Sequence, residues 1–240
     1  KVSRYRKDLT ADNVIITCSG TQGAMAAYQT LFDPGDEVLI PEPGFVLYEP
    51  DASLAGARPV PYGMTEETFM PDIDDIMRSI TSKTKGLVVN SPSNPTGGVL
   101  DRETFNALCD IADDHGLWII SDEVYEDFLY DGGTHHSFNE RIERAVVLNS
   151  FSKSFAVPGW RVGYMTSPAD LANEIAKMQY HMVAAPPTPP QYALAASFHV
   201  QQRFLDEIMP LFDRRRKLMA KLLNEIDGFH CPIPKGAFYA

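Results

Sequence analysis

Cysteine is scarce in this chain of 240 residues: Cys18, Cys109 and Cys231 are odd in number, far apart and free of any Cys-x-x-Cys spacing. A disulfide framework is therefore not expected, and reduced thiols of a cytoplasmic protein fit better. Long apolar runs are missing too. None approaches the roughly 20 residues of a membrane span, so no membrane partner is expected. Basic residues are outnumbered, 21 Lys and Arg against 32 Asp and Glu, for a net charge of −11. The basic cluster "DRRRK" at 213–217 lies in a helical stretch and reads as a solvated helix face, which argues against nucleic acid as a partner. The six histidines lack metal-ligand spacing. His135 and His136, adjacent in a Gly-flanked loop, read as a surface turn, and no metal is expected. Neither internal repeats nor low-complexity segments occur.

What is present is the balance of an ordered globular protein, 44% hydrophobic and 22% charged, large enough for a substantial core. Short apolar runs recur: "NVIIT" (13–17), "DEVLIP" (36–41), "RPVPY" (58–62), "GLVVN" (86–90), "LWIIS" (117–121), "AVVLN" (145–149) and "RVGYM" (161–165). Runs of this length fit strands buried on both faces. The helical stretches between them imply right-handed crossovers and a mainly parallel sheet, an α/β fold. Asp101 can cap a helix beginning at Arg102. "SPAD" (167–170) offers Ser167 as N-cap with Pro168 at the first helical position.

Past residue 185 the character changes. "AAPPTPPQ" is a proline-rich break, and a long amphipathic pattern then runs over 191–227. It is expected to connect a large domain over 1–190 to a smaller one, of which 228–240 is the beginning, with the closing "KGAFYA" reading as a strand. The chain reads as cut at both ends, and no signal peptide is visible.

In open α/β sheets ligands bind outside the carboxyl ends of the strands. After "NVIIT" comes "CSGTQGA". There Gly20 permits a tight turn, and Thr21 and Gln22 open a helix whose free N–H groups can cradle a phosphate. It is neither a Walker A loop nor a Gly-x-Gly-x-x-Gly fingerprint, so a plain strand–helix turn serves equally. After "GLVVN", Asn94 in "SPSNPTGG" brings an uncharged hydrogen-bonding group, although turn chemistry alone explains that motif. Asp122 and Tyr125 follow "LWIIS"; Asp122 read alone is a helix cap. Ser150, Ser152 and Lys153 follow "AVVLN", and Lys153 alone reads as a solvated loop lysine. Arg161 opens "RVGYM" and can pair with phosphate or carboxylate. Gathered at one sheet edge, these groups describe a site for a phosphorylated aldehyde cofactor held by a lysine Schiff base.

These motifs carry a family resemblance over essentially the whole chain. "SFSKSFAVPGWRVGY", "NSPSNPTG", "SDEVY", "PEPGFVLY" and "PKGAFY" closely resemble the fold-type I, class I/II pyridoxal-5′-phosphate-dependent aminotransferases. The resemblance implies a three-layer α/β/α large domain followed by the start of a smaller α+β domain. It implies that Lys153 forms the Schiff base with pyridoxal 5'-phosphate, that Asp122 pairs with the pyridine nitrogen, and that Asn94 and Tyr125 bond the 3′ oxygen. Arg161, Ser150, Ser152 and the backbone of Gly20, Thr21 and Gln22 would hold the phosphate, and Phe45 would stack on the ring.

The activity so implied moves an amino group from an L-amino acid to a 2-oxo acid by ping-pong kinetics, in a homodimer. Lys153 would act as the proton carrier. A carbon–sulfur β-lyase uses the same fold and lysine, but its relatives more often carry His after the Asp-Glu pair, where this chain has "DEVY". The effector domain of a transcriptional regulator is a second alternative, which fold alone does not separate. A purely structural domain would need all five strand-end features by chance.

Overall fold

The computed structural model describes residues 2–240, without the side chain of Ile142; Lys1, the first residue of the expected large domain, lies outside it. In chain order the elements are β1 (Val14–Thr17), α1 (Ser19–Leu31), β2 (Glu37–Glu42), α2 (Tyr48–Leu54), β3 (Arg58–Gly63), α3 (Ile73–Ser79), β4 (Thr84–Asn90) and α4 (Arg102–His115). Then follow β5 (Trp118–Asp122), β6 (Ala145–Ser150), α5 (Phe151–Ser154), β7 (Gly163–Thr166), α6 (Ala169–Val183), α7 (Thr188–Ser197) and α8 (Gln201–Asn224).

The seven strands form one sheet in the order β1-β7-β6-β5-β4-β2-β3. Neighbours from β6 to β3 pair in parallel. β7 alone runs the other way, antiparallel to both β6 and β1. The period-two alternation of the strands divides the core between two faces. Val88, Ile120, Val146 and Leu148 point to α1, α2 and α6, while Leu87, Val89, Ile119 and Val147 point to α3 and α4. The mainly parallel α/β architecture with helices on both faces is thus as the sequence predicts. Fully buried side chains such as Leu87 and Phe105 each stabilise it by about 2 kcal/mol.

Local chemistry sets the helix ends. Asp101 caps α4 by accepting from the Thr104 N–H at 2.8 Å, and Gly116, at φ 65°, ends it in the left-handed conformation. Ser167 does not cap α6. Its N–H is committed to Asn13 O, and Pro168 occupies the cap position with no side-chain bond.

Four further expectations are corrected. The stretch 191–227 is not one helix, because a 3-10 turn over Phe198–Val200 separates α7 from α8. "KGAFYA" is not a strand. Its N–H groups go to two loops, Gly236 to Gly97 O and Ala237 to Phe128 O, which leaves only an isolated bridge between Leu129 and Gly236. The basic run is not wholly solvated: Arg216 is buried, donating to Asp131, Asp213 and the Pro234 carbonyl. His135 is not on a surface turn but buried beside Glu123. Among the described residues no helix is long and apolar enough to cross a membrane.

Candidate active site

The reversed direction of β7 builds the site. Gly163 begins it opposite both Thr17 and Ser150, so the chain leaves β6, turns through α5 and returns at Arg161 on the edge where it left. Lys153 and Arg161 therefore line the same cavity, of about 190 Å³. That is several times the ~30 Å³ share of a liquid water, room for a small molecule. Gly20, Thr21, Phe45, Asn94, Asp122, Tyr125, Ser150 and Ser152 also line it.

Of the expected residues, Gln22 is absent from the lining. Only the first four N–H groups of a helix are free. With Cys18 as the N-cap of α1, those four belong to Cys18, Ser19, Gly20 and Thr21, and the Gln22 N–H falls into the intrahelical ladder. Its side chain instead accepts from the Cys18 N–H at 3.1 Å, so Gln22 closes the helix end rather than facing a ligand. The free donors are those of Ser19, Gly20 and Thr21, with the positive end of the helix dipole behind them. Gly163 is needed here: a Cβ on it would stand 2.7 Å from Gly20 N and from Ser19 C.

Asp122 is held at both oxygens. Tyr48 Oη donates to Oδ2 at 2.8 Å and the Val124 N–H to Oδ1 at 3.2 Å. Burial raises its pKa, and these two donors oppose that only in part. Lys153 Nζ lies 5.3 Å from the Tyr125 ring centroid and 5.6 Å from that of Phe238. Burial lowers its pKa, the Asp122 charge opposes this and Arg161 adds to it. Tyr125 Oη is 2.6 Å from Tyr239 Oη. Ser150 Oγ accepts from the Ser152 N–H at 3.1 Å. The Asn94 loop is folded by Asn90, which accepts from the Asn94 N–H and donates to Asp122 O.

Behind this wall lies a second polar cluster. Glu123 Oε1 accepts from Ser121 Oγ and the Phe138 N–H. Its Oε2 accepts from Ser137 Oγ and pairs with His135 Nε2 at 2.9 Å. Glu126 pairs with Arg4 at 2.6 Å. Glu123, Glu126 and His135 bring possible metal-ligand atoms together, but both Glu123 oxygens are engaged by protein groups, and the cluster reads as a structural hub.

Sequence reasoning missed Ser19, Tyr48, Asp51, Val124 and Tyr239, all of which line the cavity. Tyr48 and Asp51 carried a usable signal, since both follow Phe45 at helical spacing. Tyr239 carried none, because its approach to Tyr125 is entirely non-local.

The donor set fits pyridoxal phosphate. A helix N-terminus with Arg161 offers an anion seat, and buried Asp122 invites a cationic ring nitrogen. Lys153 supplies an amine weakened toward its neutral form.

Comparison with known proteins agrees. The family model described as "Aminotransferase class I and II" matches residues 1–240. An aspartate aminotransferase of Pyrococcus horikoshii is 36% identical over 239 residues, covering 98% of this chain and 61% of that protein. An aromatic-amino-acid aminotransferase of Thermococcus litoralis is 38% identical over 232 residues, 94% of this chain and 59% of that protein. The solved structure of a Thermus thermophilus aspartate aminotransferase double mutant superposes with a TM-score of 0.93 at 32% identity, over 98% of this chain and 64% of that one. The chain thus spans about three fifths of the length of these relatives. With the fold, the cavity and the whole-length match in agreement, the chain belongs to the class I and II aminotransferase family.

Proposed function

We propose that this chain forms the cofactor-holding part of a pyridoxal-phosphate-dependent aminotransferase, moving an amino group from an L-amino acid to a 2-oxo acid in two alternating half-reactions. The observation that carries this reading is one cavity lined by a half-buried lysine, a buried carboxyl and a helix N-terminus backed by arginine. When bound, the cofactor would supply an aldehyde that condenses with an amine and a cationic ring that takes up an electron pair.

In this reading the Lys153 amine would hold the cofactor's aldehyde carbon, and as a neutral amine it would also serve to take the proton from substrate Cα. Burial favours the neutral amine that both tasks require. Asp122 holds the proton on the ring nitrogen, oriented by Tyr48 and the Val124 N–H. Asn94 and Tyr125 would bond the ring's 3′ oxygen, and Phe45 would stack on the ring. Ser150, Ser152, Arg161 and the N–H groups of Gly20 and Thr21 would hold the phosphate.

We also propose a homodimer in a reducing compartment. Its support is three free cysteines and an apolar groove formed by Ile16, Phe151, Val162 and Phe198 beside exposed Tyr192. The division into 1–190, 191–227 and 228–240 is proposed on the same footing, supported by the change of architecture after α6.

The test is an absorbance titration with pyridoxal phosphate, followed by borohydride reduction and peptide mapping, beside Lys153→Ala. A band that reduction fixes at Lys153, and that the variant lacks, is expected. Equal weak bands from both proteins would overturn the reading.

A further inference from the structure

Asp51 is a buried acid to which nothing above assigns a task. It lines the cavity on the same face of α2 as Tyr48, one helical turn further on. Its Oδ2 has no hydrogen-bond partner, and neither has the buried Tyr28 Oη nearby on α1. The charge of Asp51 is felt by Tyr28, as is that of Asp122. No described salt bridge includes Asp51, whereas the buried Glu37 is paired with Arg58 at 2.7 Å.

The surroundings offer no cation. From α1 comes Tyr28 and from α2 itself Tyr48, whose hydroxyl is committed to Asp122. From β3 comes Tyr62, whose hydroxyl donates to Val88 O. Arg58 and Glu37 pair with each other at the opposite edge of the sheet, and Glu42 is exposed. A second carboxyl thus lines the same cavity as Asp122, one helical turn from the Tyr48 that bonds Asp122, and no described ion pair joins it to the lining cations Lys153 and Arg161.

We propose that Asp51 is a second acid of the cofactor site, a positioning residue whose negative charge helps Asp122 hold a cationic ring in place. It rests on the cofactor reading above and adds a residue to it. A buried carboxylate with no cation against it is costly to charge, and a cationic ring in the cavity would offset that cost. Burial pushes the Asp51 carboxyl up to about 6. Below that pH the group is neutral and contributes little; above it the second charge is present and cofactor affinity rises.

The test compares pyridoxal phosphate affinity of wild type, Asp51→Asn and Asp51→Glu from pH 5 to pH 8, by fluorescence quenching on folded protein. The cofactor's phosphate also changes charge near pH 6, so the readout is the ratio of the two dissociation constants at each pH. One charge at an effective dielectric constant near 20 predicts that Asp51→Asn binds roughly tenfold more weakly at pH 8. At pH 5 it should equal wild type, and Asp51→Glu should keep the wild-type slope. Asp51→Ser carries the same expectation if Asp51→Asn fails to fold. A ratio that stays flat across the range would make Asp51 a packing residue only and overturn the inference. Failure of wild type itself to bind would overturn the cofactor reading, and this inference with it.

Discussion

The Tyr48 hydroxyl donates to Asp122 Oδ2 at 2.8 Å, joining the first turn of α2 to the end of β5. A donor to a buried carboxylate favours its charged form, and here it works against burial, which raises the Asp122 pKa. Tyr48→Phe removes the donor and leaves the shape. Hydrogen bonds to charged groups contribute about 1.5 kcal/mol or more, so cofactor affinity should fall by roughly tenfold. With Asp122 protonated to a higher pH, the onset of binding should also move to higher pH. Spectroscopic titrations at several pH values read both effects.

Gly163 and Gly159 make a matched pair of substitutions. A Cβ at Gly163 would meet backbone atoms of Ser19, Gly20 and Asn149 at 2.7–2.8 Å, whereas one at Gly159 meets nothing within 4 Å. Gly163→Ala must push the start of α1 away from β7, which costs about 1–3 kcal/mol in overpacking and spoils the anion seat. Gly159→Ala should leave both properties within about 0.5 kcal/mol of wild type. Urea denaturation and inorganic phosphate competition together separate the two outcomes.

The Glu123–His135 pair predicts a pH-dependent stability. Burial alone would lower the His135 pKa, but the charge and hydrogen bond of Glu123 raise it above its ordinary value. A group raised on folding contributes fully below its unfolded pKa, near 6.5, and that contribution fades as pH rises through the folded value. The urea midpoint should therefore fall between pH 6 and pH 9, and His135→Gln should flatten that slope. A wild-type midpoint that rises over the range would contradict the pairing.

Glu123→Gln tests the same hub by charge. Its two oxygens serve four protein groups. Losing one partner of a buried ion pair typically destabilises by about 3 kcal/mol. The loss should appear in the urea midpoint before it appears in ligand binding at low temperature, because Glu123 faces away from the cavity that Asp122 lines.

Most of the sheet was legible because each strand is an apolar run between helical stretches, and period-two burial then follows from the pleat. Lys153, Asp122, Asn94 and Arg161 were legible for a related reason: each stands within a few residues of a strand end. The direction of β7 was not, since "RVGYM" has the same composition whichever way it runs. Gln22 was misread because a helix start is known from sequence only to within a residue or two, and one residue decides whether an N–H is free. Tyr239 and Arg216 were missed or misjudged because their partners, Tyr125 and Asp131, are remote in sequence. The closing "KGAFYA" has the aromatic character of a strand, but no neighbour offers it a ladder.

Among the described residues β1 has only β7 as a neighbour in the sheet, and β7 is the last strand. During synthesis the first strand and the helix start attached to it therefore have no lateral partner until residues 163–166 have left the ribosome. A nascent chain ending before Gly163 would already carry Lys153 and Asp122, but it would lack the strand that fixes Ser19 and Gly20 beside them. Under the proposed function, capture of an anionic cofactor would in this way wait on completion of the sheet.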